Sequence, residues 1–513
     1  MKRLYFLFFF FLAQISLAQI SENISLLHEY NRGDARYSGS WIYVDGVGNE
    51  YGLIGAYSGT AIYALDNDYP ELGFVEGPGS NWREITVLGD YAYVVTEGLG
   101  EGEGLQVIYL GDLPESVQLV NTLDSTFQKG HIIQKAIFEE TPYIYVAGTN
   151  TTTGVHIFDC SDPELPVEVG VYNPGYYIHD VHIRGNLMFA AAIFDNLVDI
   201  VDISNPEAPV AISNFEDPGS FTHSFSTSPD LKYIFIADEK DGYPMRIWNI
   251  EDIYDPYEVG TYTANLSSLV HNPYTNGIFT TITHNTEGLR ILDSRDPELV
   301  FEVGYYDTYE GDSGGFFGLW SACPYLPSGR IIGADRTRGL MVWSFDGTQA
   351  SRIYGQVLDI NTNQLISDAQ IMLVEEDSIL SSSGTFKYVN KAGDYALQII
   401  APGYPVLDTI ITMMEGDSLQ TTYFLGTTTH THSTTKAWMN SYPNPSYSGW
   451  IQIHPLPACR LIKVYSNNGQ LVQEQDLMHQ TMVDLMLPKG NFKVIQFDQH
   501  GTILARENIL VIH

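Results

Sequence analysis

Cysteine is scarce in these 513 residues: Cys160, Cys323 and Cys459 are all there are. Three scattered thiols build neither a disulfide framework nor a zinc cluster. They read as small buried apolar residues. Basic residues are scarce too, 25 Lys and Arg against 62 Asp and Glu, a formal net charge of -37. A surface of that sign repels phosphate, so no nucleic acid is expected as partner. It suits an extracellular protein, or one that takes up cations such as calcium. Beyond the N-terminus no apolar run reaches the length of a bilayer, so the chain is not expected to be membrane-spanning. Helical periodicity is missing throughout. Charged residues make up only 17% of the chain against 44% apolar, which excludes a disordered polyelectrolyte.

The one long apolar run stands at the start. Lys2 and Arg3 precede Leu4–Leu12, and Ser16 and Ala18 occupy the small-residue positions ahead of a cut. Residues 1–18 therefore read as a signal peptide cleaved after Ala18, and the mature chain as secreted or placed on the outer cell surface.

What is plentiful is Gly (46) and Tyr (34), the composition of aromatic strands joined by turns. These strands repeat. "GVHIFDCSDPELPVEVGVYN" from Gly154, "LVDIVDISNPEAPVAISNF" from Leu197 and "GLRILDSRDPELVFEVGYYD" from Gly288 are copies of one unit, with a weaker copy at Met245. Each holds an apolar strand, an Asp or Asn, a Pro-marked turn and a second strand ending in an aromatic residue. Another strand pair precedes each copy, and the recurrence at roughly 43 to 51 residues is the period of four-stranded propeller blades. Seven units begin near Ser38, Asn81, Gly130, Tyr176, Phe221, Ser267 and Phe316.

The seventh unit stops at Gly347 without its last strand, and "ISLLHEYN", Ile24 to Asn31, has the missing length and ending. The fold class predicted is all-β: a seven-bladed β-propeller over 19–347 closed by an N-terminal strand, with two smaller β-sandwiches behind it. The first of these, 351–425, shows short alternating strands with Gly-marked turns. Through "GQVLD", "DAQIML", "GTF", "GDYALQI" and "PGY" it resembles the carboxypeptidase regulatory-like domain, a resemblance that implies a spacer or adhesive module. Residues 426–439 form a Thr-rich linker carrying His430 and His432, read as a solvated tether. The last segment, 440–513, resembles the C-terminal sorting domain of the type IX secretion system. Its motifs are "SYPNPS", the Asn468–Gly469 turn, "LPKGNFKVIQF" and the closing "ILVIH". That resemblance implies the type IX secretion machinery as partner, and release or anchorage outside the cell.

The repeat "LVDIVDISNPEAPV" resembles the LVIVD repeat. Over roughly residues 80 to 345 the chain resembles the choice-of-anchor B family of exported propellers, through "THSFSTSPDLKYIFIADE", "LVHNPYTNGIFTT", "EGLRILD" and "FGLWSACPYLPSGRIIGAD". That resemblance implies surface export and no particular enzymatic activity.

Two constellations bear on chemistry. "GDSGG", Gly311 to Gly315, is the pentapeptide that surrounds a chymotrypsin-like nucleophile, but Ser313 lies in an interblade loop without the His and Asp settings that chemistry needs. The better constellation is histidine. Alignment on the following aromatic strand puts His179 and His223 at one register, with Arg83 matching them, and His182 with His271 at a second. His131 leads the third blade near the same level, and Asp180 lies beside His179. First strands of blades line a propeller's channel, so these six residues (His131, His179, Asp180, His182, His223 and His271) are candidates for a channel ligand or metal site. A purely structural role for them stays open. Trp82, Arg83 and Trp320 are candidates for a binding rim, with Tyr176, Tyr177 and Phe317 nearby. "ADEKDG" (Ala237 to Gly242) and "LDNDYPE" (Leu65 to Glu71) cluster carboxylates without the spacing of a calcium loop.

The expected function is binding of an extracellular glycan, peptide or protein. The alternative is a metal-dependent hydrolase or lyase working through the channel histidines. No catalytic residue is assigned, and a divalent metal is the one cofactor the residues suggest, none being firmly implied.

Overall fold

The structure, a computed structural model, describes residues 21–65, 71–218, 221–374 and 376–426. Within the last segment it describes 440–442, 450–454, 459–466, 471–477, 482–497 and 503–511. The signal segment, most of the Leu65–Glu71 cluster, His430 and His432, most of "SYPNPS" and the Asn468–Gly469 turn lie outside these residues. The chain divides into two compact units, 1–426 and 427–513.

The first unit is built of antiparallel sheets whose four strands follow one another in the chain. The fourth sheet is typical: Asp180–Arg184, Leu187–Ala192, Leu197–Asp202 and Val210–Glu216 pair in that order. Among the described residues six sheets share this arrangement, and a seventh joins three consecutive strands to one from the N-terminal region. Their first strands are Tyr37–Val44, Arg83–Leu88, Ile132–Phe138, Asp180–Arg184, Thr222–Thr227, Asn272–Asn276 and Leu319–Cys323.

The repeated residues act alike from sheet to sheet. The Asp or Asn that closes the third strand accepts the backbone N–H two residues on: Asp159 from Ser161 at 2.7 Å, Asp202 from Ser204 at 2.8 Å, Asn249 from Glu251 at 3.0 Å. These Asx turns reverse the chain before the Pro-marked segment. The following strand then rejoins with a one-residue register shift, at Ile157/Phe158, Ile200/Val201, Ile247/Trp248 and Ile291/Leu292, adding twist to the outer edge.

Middle strands such as Tyr91–Thr96 are buried on both faces because each sheet packs between two others. A separate apolar cluster fills each gap. Tyr51, Leu53 and Ile62 meet Ile85, Val94 and Ile108 between the first and second sheets. Ile332, Leu340 and Val342 of the seventh meet Tyr37, Ile54 and Tyr63 of the first. The strand Ile24–Tyr30 pairs antiparallel with Gly339–Phe345 as the outermost member of the seventh sheet, and Tyr30 stacks on Tyr63 at 4.9 Å. Ser21–Glu22 additionally pairs with Tyr305 and Tyr306 on the edge of the sixth sheet, which sequence reading did not foresee.

Residues 351–425 form two further sheets, one of them holding a parallel pair, Ser351–Asp359 with Ser418–Leu425. They enclose a core of their own, including Ile353, Val357, Ile371, Phe386, Leu397 and Ile399. In the second unit, Leu461–Ser466, Leu471–Asp476, Gly490–Phe497 and Ile503–Val511 make one sheet, and Asn440–Tyr442, Trp450–His454 and Val483–Met486 another. Ile451, Ile453, Val464, Leu485, Val494 and Ile509 are buried among them. Among the described residues no helix is long and apolar enough to cross a membrane.

Candidate functional site

The first strands of all seven sheets line one cavity of about 600 Å³. At one end of it the rings form a belt. His131 and His179 lie 4.3 Å apart between ring centroids, His179 and His223 4.6 Å, His223 and His271 4.5 Å, and His271 and Trp320 4.1 Å. Equal register produces this belt: the backbone N–H groups of His131, His179 and His271 donate to Ala147, Ala191 and Thr283, the same position of each second strand. The Trp320 indole N–H points at Glu84 Oε1 at 3.4 Å, and the Arg336 guanidinium lies over the indole at 4.4 Å. Two glycines leave room for the belt. A Cβ on Gly39 would collide with the Glu84 carboxylate, and one on Gly148 with the Cβ of His131.

Three sequence expectations are corrected here. His271 belongs with His131, His179 and His223, not with His182. Pairing shows why: the residues that accept the His179 and His271 N–H groups, Ala191 and Thr283, face Val198 and Leu289, equivalent positions of the two third strands. His182 instead lies deeper along the same strand, its Nε2 at 3.1 Å from Thr227 Oγ1. Arg83 shares the histidine register but is no rim residue. It is fully buried, with Nε donating to the Ala56 carbonyl at 3.1 Å and Nη2 to that of Pro78 at 2.7 Å. Trp320 is likewise buried in the belt, and half-buried Trp82 spends its carbonyl on Ser80 and Thr96.

Asp180 lines the cavity beside His179, its Oδ1 accepting the Val181 N–H at 2.6 Å.

Sequence reading missed three carboxylates. Glu97 accepts from His131 Nδ1 at 2.7 Å. Glu239 Oε1 stands 3.8 Å from His223 Nε2 and 3.6 Å from His271 Nε2. Glu84 is the third. The signal for the first two was available: "YAYVVTE" and "YIFIADE" end in Glu97 and Glu239 at the same distance from the aromatic start of the second strand, and Arg336 follows "IIGAD" likewise. Loops after equivalent strands converge on one end of the cavity.

The tautomers are set from outside the belt. His271 Nδ1 lies 2.8 Å from the Trp320 carbonyl and 2.9 Å from the Asn272 amide nitrogen, whereas His223 Nδ1 faces the His271 carbonyl alone at 3.1 Å, so His223 carries its proton there and turns Nε2 inward. His179 repeats this toward the His223 carbonyl without a well-formed bond. Burial and the neighbouring imidazoles hold His179 well below the usual range, and burial takes His223 down to about 3 and His182 to about 4. His131 behaves oppositely: burial disfavours its charge, but the Glu97 carboxylate outweighs this and raises it. Burial also opposes ionisation of Glu239, yet His223 and His271 hold its carboxyl at about 2. Burial pushes Glu84 up to about 7 and Asp180 to about 8. At neutral pH the belt thus combines a charged Glu239 with neutral His179 and His223, while the Glu97–His131 contact favours the charged form of both partners.

Outside the belt lies an aromatic rim. Tyr177 is 6.3 Å from His179 and 5.5 Å from Phe194, Phe194 is 5.9 Å from Phe221, and Phe316 is 6.3 Å from Trp320. Phe194 and Phe316 are 67% and 46% exposed. Phe317 stacks on Tyr309 at 5.6 Å, whereas Tyr176 turns away, its hydroxyl on Asp199 at 2.7 Å.

The remaining motifs are loop anchors. Ser313 donates to Glu287 Oε1 at 2.8 Å and accepts from Asn265 Nδ2 at 3.0 Å; neither is an imidazole base. The carboxylates of "ADEKDG" diverge: Glu239 enters the belt, Asp238 lies 3.9 Å from Arg246 Nε, and Asp241 accepts the Gly315 N–H at 3.3 Å. Calcium would need them together.

Fold and repeat together define a β-propeller-like repeat protein. Residues 79–100 and 177–217 match the LVIVD repeat. No curated protein matches the chain. Among solved structures it is similar to a candidate 6-phosphogluconolactonase from Bacteroides uniformis, at 12% identity and TM-score 0.47 over 69% of this chain and 99% of that one. A candidate 6-phosphogluconolactonase from Bacteroides fragilis matches at 13% identity and TM-score 0.43, over 71% and 100% of the respective chains. A functionally unknown protein from Desulfotomaculum acetoxidans matches at 13% and 0.42, over 56% and 89%.

Proposed function

We propose that the chain is an exported recognition protein: a seven-bladed propeller closed by its N-terminal strand, of the choice-of-anchor B kind, that binds an extracellular glycan at the imidazole end of its channel. Residues 351–425 act as a carboxypeptidase regulatory-like β-sandwich spacer, and 440–513 address the chain to the type IX secretion machinery. The protein works in the medium or on the outer cell surface. One observation carries the recognition reading: exposed Phe194 and Phe316 lie beside the belt, through Tyr177 and Trp320, and polar rings and carboxylates line that end of the cavity. Exposed aromatic faces beside convergent hydrogen-bonding groups are what a polar ligand with apolar C–H faces requires. A net charge of -37 disfavours polyanions, which points to neutral or basic saccharides.

The test is a glycan array probed with the full chain, followed by calorimetry on the best saccharide. Phe194→Ala and Phe316→Ala are expected to weaken binding about tenfold each without lowering the melting temperature, because neither ring is buried. A clean array, or variants that bind as the wild type does, would overturn the reading. Binding to peptides alone would replace glycan by peptide. The enzyme alternative, a metal-dependent hydrolase or lyase, draws on the same belt through His179, His223 and Glu239.

A further inference from the structure

We infer that His179, His223 and Glu239 form a binding site for a divalent first-row transition metal, with His271 at its side. One donor atom from each of the three lies within 4.8 Å of the others. The three come from two neighbouring sheets, so the fold holds them together.

The hydrogen bonds argue for a cation between them. With Nδ1–H of His223 committed to the His271 carbonyl, its Nε2 presents a lone pair to Glu239, and His271 Nε2 turns to the same carboxylate. The separations of 3.8 and 3.6 Å exceed a hydrogen bond. A lone pair facing a carboxylate in a buried setting is repelled by it unless a positive charge intervenes. His271 Nε2 is buried and has no hydrogen-bond partner. Ligands about 2.0–2.1 Å from a tetrahedral zinc stand roughly 3.4 Å apart, so small side-chain rotations close these distances onto one ion. The backbone carbonyls then play the outer role usual around metal-bound imidazole, fixing tautomer and ring orientation.

The donor set selects the metal. Imidazole nitrogens disfavour magnesium and calcium, which take oxygen ligands, and suit zinc, iron, nickel or copper. Two imidazoles and one carboxylate leave coordination positions open, and His223 and His271 line the cavity. A water or a ligand oxygen would fill them.

The experiment uses the full chain purified without chelators. Elemental analysis is expected to find about one equivalent of zinc, iron, nickel or copper per chain. After chelation, added Co²⁺ should give the intense visible absorption of a low-coordinate site, and added Zn²⁺ should raise the melting temperature. Glu239→Gln and His223→Gln should lose the cobalt band, whereas His182→Gln, bound to Thr227 deeper in the channel, should keep it. Wild type that holds only traces of metal, and gives only the pale spectrum of aqueous cobalt, would overturn the inference even if the variants fail to fold. The outcome is separate from that of the array: metal can be present where no saccharide binds, and the converse.

Discussion

His284 is a fully buried histidine at the end of the second strand of the sixth sheet, its Nε2 accepting the Ala264 N–H at 3.2 Å. Burial takes its pKa down to about 4, against an ordinary value near 6.5. Between those two values the unfolded chain binds a proton that the folded chain refuses. Stability from this residue is therefore complete above the ordinary value and falls as pH drops toward 4, by up to about 1.4 kcal/mol per pH unit. His284→Gln keeps an acceptor without the titration. Its melting temperature should fall less than that of the wild type between pH 7 and 4.5, and parallel curves would refute the account. His284 escaped notice because nothing in "TITHNTEG" distinguishes a buried imidazole from an exposed one. The belt was half legible for a related reason. Histidines ahead of repeated strands stand out, and His131, His179, His223 and His271 do meet. Glu84, Glu97 and Glu239 are common surface residues in any sequence, and only strand register reveals that they point inward. Register also separates His182 from His271: His271 shares the level of His179, and His182 lies deeper.

Repeats made the strands themselves the most legible level. The Asx turn after the third strand and the two-sided apolar run of the second recur closely enough to mark each sheet. The short N-terminal pieces were harder, because a strand supplied from far away in sequence carries no local turn to announce it. Ile24–Tyr30 was read from its missing partner, whereas Ser21–Glu22, two polar residues, gave no signal. The strand Ile24–Tyr30 makes a test at this scale. Ile24 is buried against the Trp343 cluster, and half-buried Leu26 and Tyr30 pack on the neighbouring sheets. At about 1.5–3 kcal/mol per large apolar side chain, deleting residues 24–31 should destabilise the first unit by about 3–6 kcal/mol. It would also bare the Gly339–Phe345 edge, so the shortened chain should associate on warming. Urea unfolding with an unchanged midpoint would show that the strand adds nothing to the ring.

The first unit contains two kinds of core, the gaps between repeated sheets and the separate interior of residues 351–425, yet they are tied by buried charge. Asp293, at the end of the third strand of the sixth sheet, holds Arg352 at 3.0 Å and Arg295 at 2.7 Å. Arg295 also donates to the carbonyls of Ala350 and Gly416, and Tyr354 to Asp296 at 2.5 Å. Arg352 is 1% exposed, so its charge depends on Asp293 and a few carbonyls. Such a pair adds little relative to apolar residues of the same size, but losing one member strands the other in a dry setting at about 3–5 kcal/mol. Asp293→Ala should therefore cost about that much, and it should fall on the junction rather than on either core. Calorimetry of wild type should show the propeller-like sheets and residues 351–425 melting together, and the variant should split that peak as 351–425 unfolds first. The double change Asp293→Leu with Arg352→Met should restore the single peak, since it strands no fully buried charge and Arg295, 21% exposed, keeps its bonds to the Ala350 and Gly416 carbonyls. A single unshifted peak in Asp293→Ala would mean that the apolar contacts alone hold the junction, and that the buried charges only fix its orientation.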